Sequence, residues 1–227
     1  MLCLFGIILL NRGRGYTIMV AMSSFTFQDR LILRFYAWKR KWRSPHVFNL
    51  PEALHRTNRL LICLPDDPDE ASQAVTVVLD LMRTLDAPSC LLLGSASATG
   101  VLQHLPDSCE TITVNPRDRK WTGFPAPELA RRITNGGIDA AIDLNPTLTV
   151  LSAVLCVQSG AVVRISFQAP LRELFFNIQV ALTEPLPPDE TPPVPQRKDR
   201  SLNPGNRYTR LLRTVQQMTG HPLTESP

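Results

Sequence analysis

The sequence predicts an α/β fold: a Rossmann-like three-layer domain with a mainly parallel sheet, flanked by an N-terminal basic amphipathic helix and a C-terminal helix. Two observations predict it. Between residues 59 and 183, short apolar runs alternate with segments of helical periodicity, and that repetition builds a parallel sheet with helices on both faces. The first of these runs, RLLICLP (59–65), is continuous rather than alternating, as in a strand buried on both faces. Hydrophobic residues make up 44% of the 227 and charged residues 19%, enough to bury such a core and too apolar for wholesale disorder.

The elements follow in order. RLLICLP (59–65) is the first strand. Residues 70–85 place Ala71, Val75, Val78, Leu79 and Met82 at helical spacing. CLLLG (90–94) is the second strand, and 98–105 a short helix. ETITV (110–114) is the third strand, stopped by Asn115 and Pro116. Residues 127–135 read as a helix with Pro127 and Glu128 in its first turn. IDAAIDL (138–144) is the fourth strand, 147–159 a helix closed by Gly160, and AVVRISF (161–167) the fifth strand. A last helix is expected over 206–220. Asn206 caps it, Tyr208, Leu211, Leu212 and Val215 form its apolar face, and Gly220 ends it.

Charge divides the chain. Residues 1–60 carry ten Lys/Arg against two Asp/Glu, whereas 61–184 carry eight against fourteen. An acidic domain makes a poor general nucleic-acid binder, because that affinity comes mostly from phosphate neutralisation, so no nucleic-acid partner is expected. The five cysteines (Cys3, Cys63, Cys90, Cys109, Cys156) are odd in number, widely spaced and without CxxC. They argue for a reducing compartment and against a disulfide framework or zinc site. Four histidines with no HxxxH pair give no metal motif, and no GxGxxG follows the first strand. No metal and no cofactor are expected.

The layout is therefore a basic arm over 1–58, a Rossmann-like domain over 59–183, a linker over 184–205 and a C-terminal helix and tail over 206–227. The linker has six prolines between 185 and 195, which forbid a helix or central strand. MLCLFGIILL (1–10) is too short to span a hydrocarbon layer of ~30 Å. No Lys or Arg precedes it and NRGRG follows it, so residues 1–21 read as an upstream extension rather than a signal peptide. Within the arm, Leu31, Phe35, Trp38 and Trp42 share one helical face over 27–43. Arg34, Lys39, Arg40, Lys41 and Arg43 crowd beside it. Such a helix either packs on the domain or lies on an anionic membrane, with Arg34, Trp38, Lys39, Arg40, Lys41, Trp42 and Arg43 as its contacts. The expected location is cytoplasmic, peripheral at the inner membrane if the arm binds lipid.

Parallel sheets place ligands outside the carboxyl ends of their strands. The loop after the first strand, PDDPDEAS (65–72), holds Asp66, Asp67, Asp69 and Glu70. Carboxylates there repel phosphate. They suit a general base acting on a sugar hydroxyl or a divalent cation, or simply cap the next helix. GSASATG (94–100) is small and polar and can admit a ligand at Ser95. Asp143, followed by Asn145 and Pro146, either bonds a substrate hydroxyl or caps the helix that follows.

Three segments carry a family resemblance: RLLICLP, the block GGIDAAIDLNPTLTVLSAVLCVQSGAVVRISF and NRYTRLLRTVQQMTG. With Asp139, Asp143, Leu144, Ser152, Gly160, Ala161 and Arg164 in the block, 59–183 resembles the N-terminal domain of glycosyltransferase family 9, the ADP-heptose:lipopolysaccharide heptosyltransferases. The resemblance implies the acceptor half of a GT-B fold, whose other half holds the nucleotide-sugar. It places the catalytic base on Glu70, with Asp69 just before it; with the acceptor held by this half, Asp69, Ser95, Asp143 and Asn145 in the loops after the strands are the candidate acceptor contacts. The implied partners are a saccharide or lipid-linked acceptor and a second chain supplying the donor domain, since this sequence ends where that domain would begin. The expected function is a heptosyltransferase-like protein inactive alone. A non-catalytic binding or scaffold module at the inner membrane surface is the alternative.

Overall fold

The computed structural model describes residues 49–102, 105–182 and 204–220. Six strands form one sheet: β1 (Arg59–Cys63), β2 (Ser89–Ser95), β3 (Cys109–Val114), β4 (Ala140–Asp143), β5 (Val163–Phe167) and β6 (Ile178–Val180). Every neighbouring pair is parallel, in the order β3-β2-β1-β4-β5-β6. The five expected strands are present and β6 is added. Its three residues are too few to show a period. Asn177 fixes it, accepting from the Arg164 amide at 2.7 Å and donating to the Val162 carbonyl at 2.7 Å.

The helices are α1 (Leu50–His55), α2 (Pro68–Val75), α3 (Val78–Thr84), α4 (Thr99–Leu102), α5 (Pro127–Thr134), α6 (Val150–Gln158) and α7 (Pro204–Thr219). Successive strand residues point to opposite faces. Leu60, Ile62, Leu92, Ile142, Ile165 and Phe167 therefore join one core with α1, α2, α3 and α7. Leu61, Cys63, Leu91, Leu93 and Ala141 join a second core with α5 and α6. This is the expected three-layer α/β architecture.

The helix expected over 70–85 is two helices. It starts earlier, with Pro68 at its first position and Asp67 as its cap. It then breaks at Thr76 and Val77, within the β-branched run Val75–Val78. The Thr76 hydroxyl bonds the Gln73 carbonyl at 2.7 Å, and the Thr76 and Val77 amides bond residues three back. Local side-chain bonding of this kind competes with the helical ladder.

The packed body runs wider than 59–183. Leu54 of α1 is fully buried, and α7 lies against α1, α2 and α3. Tyr208, Leu211 and Val215 are buried, and the Tyr208 ring meets Phe167 edge-on at 5.8 Å between centroids. α7 begins at Pro204, so Asn206 lies within it rather than capping it. The amphipathic segment 27–43 and the proline-rich stretch 184–203 lie outside the described residues. Among the described residues, no helix is long and apolar enough to cross a membrane.

From β1 the chain moves outward to β2 and β3, then returns to place β4 beside β1. That reversal opens a crevice outside the carboxyl ends of β1 and β4, where such sheets bind ligands. The packing of α7 yields the first prediction. Leu211→Ala should cost about 2–5 kcal/mol in urea unfolding, while Arg213→Ala, on the exposed face, should stay within about 0.5 kcal/mol. An unchanged midpoint for Leu211→Ala would show that α7 does not cover the core.

Candidate functional site

The loops after β1 and β2 are stitched together. The Asp66 carbonyl accepts from the Ser95 hydroxyl at 3.2 Å and the Ser97 hydroxyl at 3.0 Å, and the two hydroxyls lie 2.6 Å apart. The Asp66 carboxylate pairs with Arg119 at 3.2 Å. Asp67 is the helix cap of this acidic run: its side chain accepts from the Asp69 amide at 3.1 Å and the Glu70 amide at 3.0 Å.

Beneath the crevice lies a buried charge pair. Asp143 ends β4 with no solvent exposure. One carboxylate oxygen accepts from the Asn145 amide at 3.2 Å and its side-chain nitrogen at 2.6 Å. The other accepts from the Ser152 hydroxyl at 3.1 Å and lies 3.7 Å from Arg172. Arg172 is also wholly buried; it donates to the Asn145 carbonyl at 2.6 Å and lies 5.9 Å from the Phe176 ring centroid. The preceding Leu171 adopts a left-handed φ of +68°, turning the chain at the start of the Arg172–Leu174 turn. Burial pushes the Asp143 carboxyl up, against Arg172 and the hydrogen bonds, which pull it down. Burial likewise lowers Arg172, with Asp143 opposing.

The sequence left Asp143 as a hydroxyl binder or a helix cap. α6 is capped instead by Thr149, whose hydroxyl accepts from the Ser152 amide at 3.4 Å. Asp143 reaches that helix through the Ser152 side chain, and its oxygens are engaged inside the protein.

Above the pair, Leu64, Asp66, Ser95, Arg119, Asn145 and Ser152 line a cavity of about 10 Å³. That is room for one water or hydroxyl group. The structure thus brings Asp66, Ser95 and Asn145 together. Asp69 is exposed outside this cavity. Glu70 is engaged by α7: Tyr208 donates its hydroxyl at 2.5 Å, and Arg207 lies 3.6 Å away. Burial and the Glu70 carboxylate push the Tyr208 hydroxyl pKa up, so it stays a donor.

Sequence reasoning missed Arg172, Arg119 and Tyr208 as members of this region. For Arg172 one signal existed. An Asp closing a central strand needs a countercharge, and Arg172 is the first cation after the strand paired with β4. Among the described residues, no three His, Cys, Asp or Glu side chains gather as a metal site. Cys63 and Cys156 are buried free thiols 3.8 Å apart in the core below.

No family model matches the sequence, and no curated protein matches it. Among solved structures, E. coli heptosyltransferase WaaC with ADP is similar at 14% identity and a TM-score of 0.45, over 74% of this chain and 48% of that one. The chain spans about half the length of that structure.

The buried pair makes a prediction with a defined pH dependence. Arg172→Met should cost about 3–5 kcal/mol at pH 7, because it strands a buried carboxylate. Adding Asp143→Asn should recover part of the loss. Without Arg172, the folded-state pKa of Asp143 rises further above its unfolded value of about 3.9. A raised folded pKa contributes stability at low pH that is lost as pH climbs through it. The Arg172→Met deficit should therefore shrink as pH falls from about 7 to about 5, read by thermal melts against wild type. A deficit constant across that range would show that Asp143 is not the stranded charge.

Proposed function

We propose that this domain is the acceptor-side half of a GT-B-type glycosyltransferase related to the lipopolysaccharide heptosyltransferases, and that it holds a saccharide at the β1/β4 crevice. One observation carries the reading: the lining of that crevice. Where a dinucleotide-binding fold has glycines open to a pyrophosphate, this one has the carboxylate of Asp66, the hydroxyls of Ser95 and Ser152 and the amide of Asn145. Those groups match sugar hydroxyls, and the Asp66 carboxylate, paired with Arg119 of the same lining, stands where a phosphate would lie. The 138–167 block, with its likeness to heptosyltransferases, supports the same reading.

In this reading Asp66, Ser95 and Asn145 bond acceptor hydroxyls, and Asp143 holds Asn145 in place. Glu70, next to the exposed Asp69, is the candidate base once Tyr208 and Arg207 release it. The acceptor oxygen attacks the anomeric carbon, the nucleoside diphosphate leaves with the bonding pair, and the base keeps the hydroxyl proton. Transfer needs donor and acceptor held against each other, so the described domain alone is inactive. The donor side comes from outside it, with a second chain as the candidate source. The acceptor is a saccharide, free or lipid-linked.

A second reading has its own support. Glu70 is already bound by Tyr208 and Arg207, as in a non-catalytic binding or scaffold module at the inner membrane surface.

Calorimetric titration with an inner-core lipopolysaccharide oligosaccharide, ADP and a UDP-sugar tests the assignment. The oligosaccharide should bind, with Asn145→Ala weakening it roughly tenfold through one or two lost hydrogen bonds. The nucleotides should not bind. Micromolar nucleotide affinity would contradict the proposal. Glu70→Gln separates the two readings in a transfer assay with the donor half supplied. Loss of transfer with a nearly unchanged melting temperature supports the base, whereas full activity removes Glu70 from the mechanism.

A further inference from the structure

Trp121 is 88% exposed, the most open large hydrophobic side chain among the described residues. It follows β3 on a turn that closes upon itself. Asn115 and Asp118 form a capping box, with the Asn115 amide donating to the Asp118 carboxylate at 2.9 Å. The Lys120 amide donates to the Phe124 carbonyl at 2.8 Å, the Gly123 amide to the Lys120 carbonyl at 2.8 Å, and the Ala126 amide to the Asp118 carbonyl at 2.7 Å. Arg119 bridges to Pro125, and the Arg119–Asp66 pair ties the turn to the loop after β1. Gly123 adopts φ +81° against α6, where a Cβ would meet the Val150 Cβ at 3.4 Å. A three-residue loop closed by this many backbone bonds presents Trp121 on a preorganised support.

The charge around it is the opposite of the domain's. Residues 61–184 carry eight cations against fourteen carboxylates, yet five of those eight cations fall within 117–132. Arg117, Lys120 and Arg131 are exposed, and Arg117 and Arg131 line one depression beside the turn. Arg119 is paired with Asp66, and Arg132 with Glu110. The carboxylates of the stretch are Asp118, held in the capping box, and Glu128 in the first turn of α5. Glu128 lines the same depression, and the balance over 117–132 remains five cations against two carboxylates.

We propose that the 115–126 turn is a membrane-contact element that seats Trp121 in the interface of an anionic bilayer while Arg117, Lys120 and Arg131 meet lipid phosphates. An indole placed at headgroup depth buries its apolar ring and keeps its N–H wet. Neighbouring Lys and Arg each add attraction to anionic lipid that falls off within a Debye length. This contact stands apart from the basic arm and does not depend on the saccharide reading, though it would orient the crevice toward a lipid-linked acceptor.

The chain has three tryptophans, so in the full chain with Trp38→Phe and Trp42→Phe, Trp121 is the sole indole emitter. With vesicles of phosphatidylcholine and phosphatidylglycerol, its emission should shift to the blue and be quenched by brominated lipid. Both effects should fade in high salt and be absent with phosphatidylcholine alone. In the otherwise native chain, Trp121→Ala should weaken partitioning by about tenfold, and Arg117→Glu with Lys120→Glu should weaken the preference for anionic lipid, both with unchanged melting. Emission unmoved by anionic vesicles overturns the proposal. So does a shift produced by the inner-core oligosaccharide without lipid, which would make Trp121 a sugar platform. Failure of oligosaccharide binding alone leaves the vesicle result intact and counts only against the crevice.

Discussion

A buried carboxylate at the end of a central strand is the constraint on which the upper half of this domain depends. Asp143 has no solvent to stabilise it, and an isolated charge there would cost several kcal/mol. The surrounding chain is arranged to offset that cost. Asn145 folds back to donate twice, Ser152 brings the start of α6 to the second oxygen, and Leu171 turns left-handed just before Arg172 enters from beyond β5. The β4–α6 loop, the first turn of α6 and the β5–β6 loop thereby acquire fixed positions from one charge. The polar lining of the crevice is a consequence, because Asn145 and Ser152 belong both to the buried pair and to the cavity wall. Replacing the pair with apolar residues of similar volume is often neutral for stability, but here it would release the loops that shape the site.

The second organising contact is the docking of α7. Its apolar face covers the core over α2 and α3, and its first turns bring Tyr208 and Arg207 to Glu70. One helix thus serves packing and restrains the carboxylate that the family resemblance singles out. Any chemistry at Glu70 is tied to how tightly Tyr208 and Arg207 of α7 hold it.

Much of the fold was legible because parallel strands buried on both faces are mostly apolar, as the stretches LLIC (60–63), CLLL (90–93) and AAI (140–142) are. What was not legible has physical causes. β6 is shorter than any period and is held by Asn177, a long-range partner of the chain around β5. The break at Thr76 depends on a hydroxyl bonding its own helix, which hydrophobic spacing does not register. α1 looked like part of a basic arm, although Leu54 is core. At the site, composition marked Asp66, Ser95, Asp143 and Asn145 as polar residues after strands, and the fold gathers them around one crevice. It did not separate the buried Asp143 from the cavity-lining others, nor show that Glu70 points to a helix more than a hundred residues away in sequence. Trp121 escaped notice because a lone aromatic in a polar loop has no pattern until its exposure is known.

The central claim is that the crevice at the β1/β4 reversal binds a saccharide. Amide chemical-shift mapping of the full chain during titration with the inner-core oligosaccharide tests it most directly. The account predicts saturable shifts concentrated at Asp66, Ser95, Asn145 and Thr149, with the opposite rim around Arg59 and Asp139 unmoved. Shifts confined to that opposite rim, or none at saturating saccharide, would contradict it.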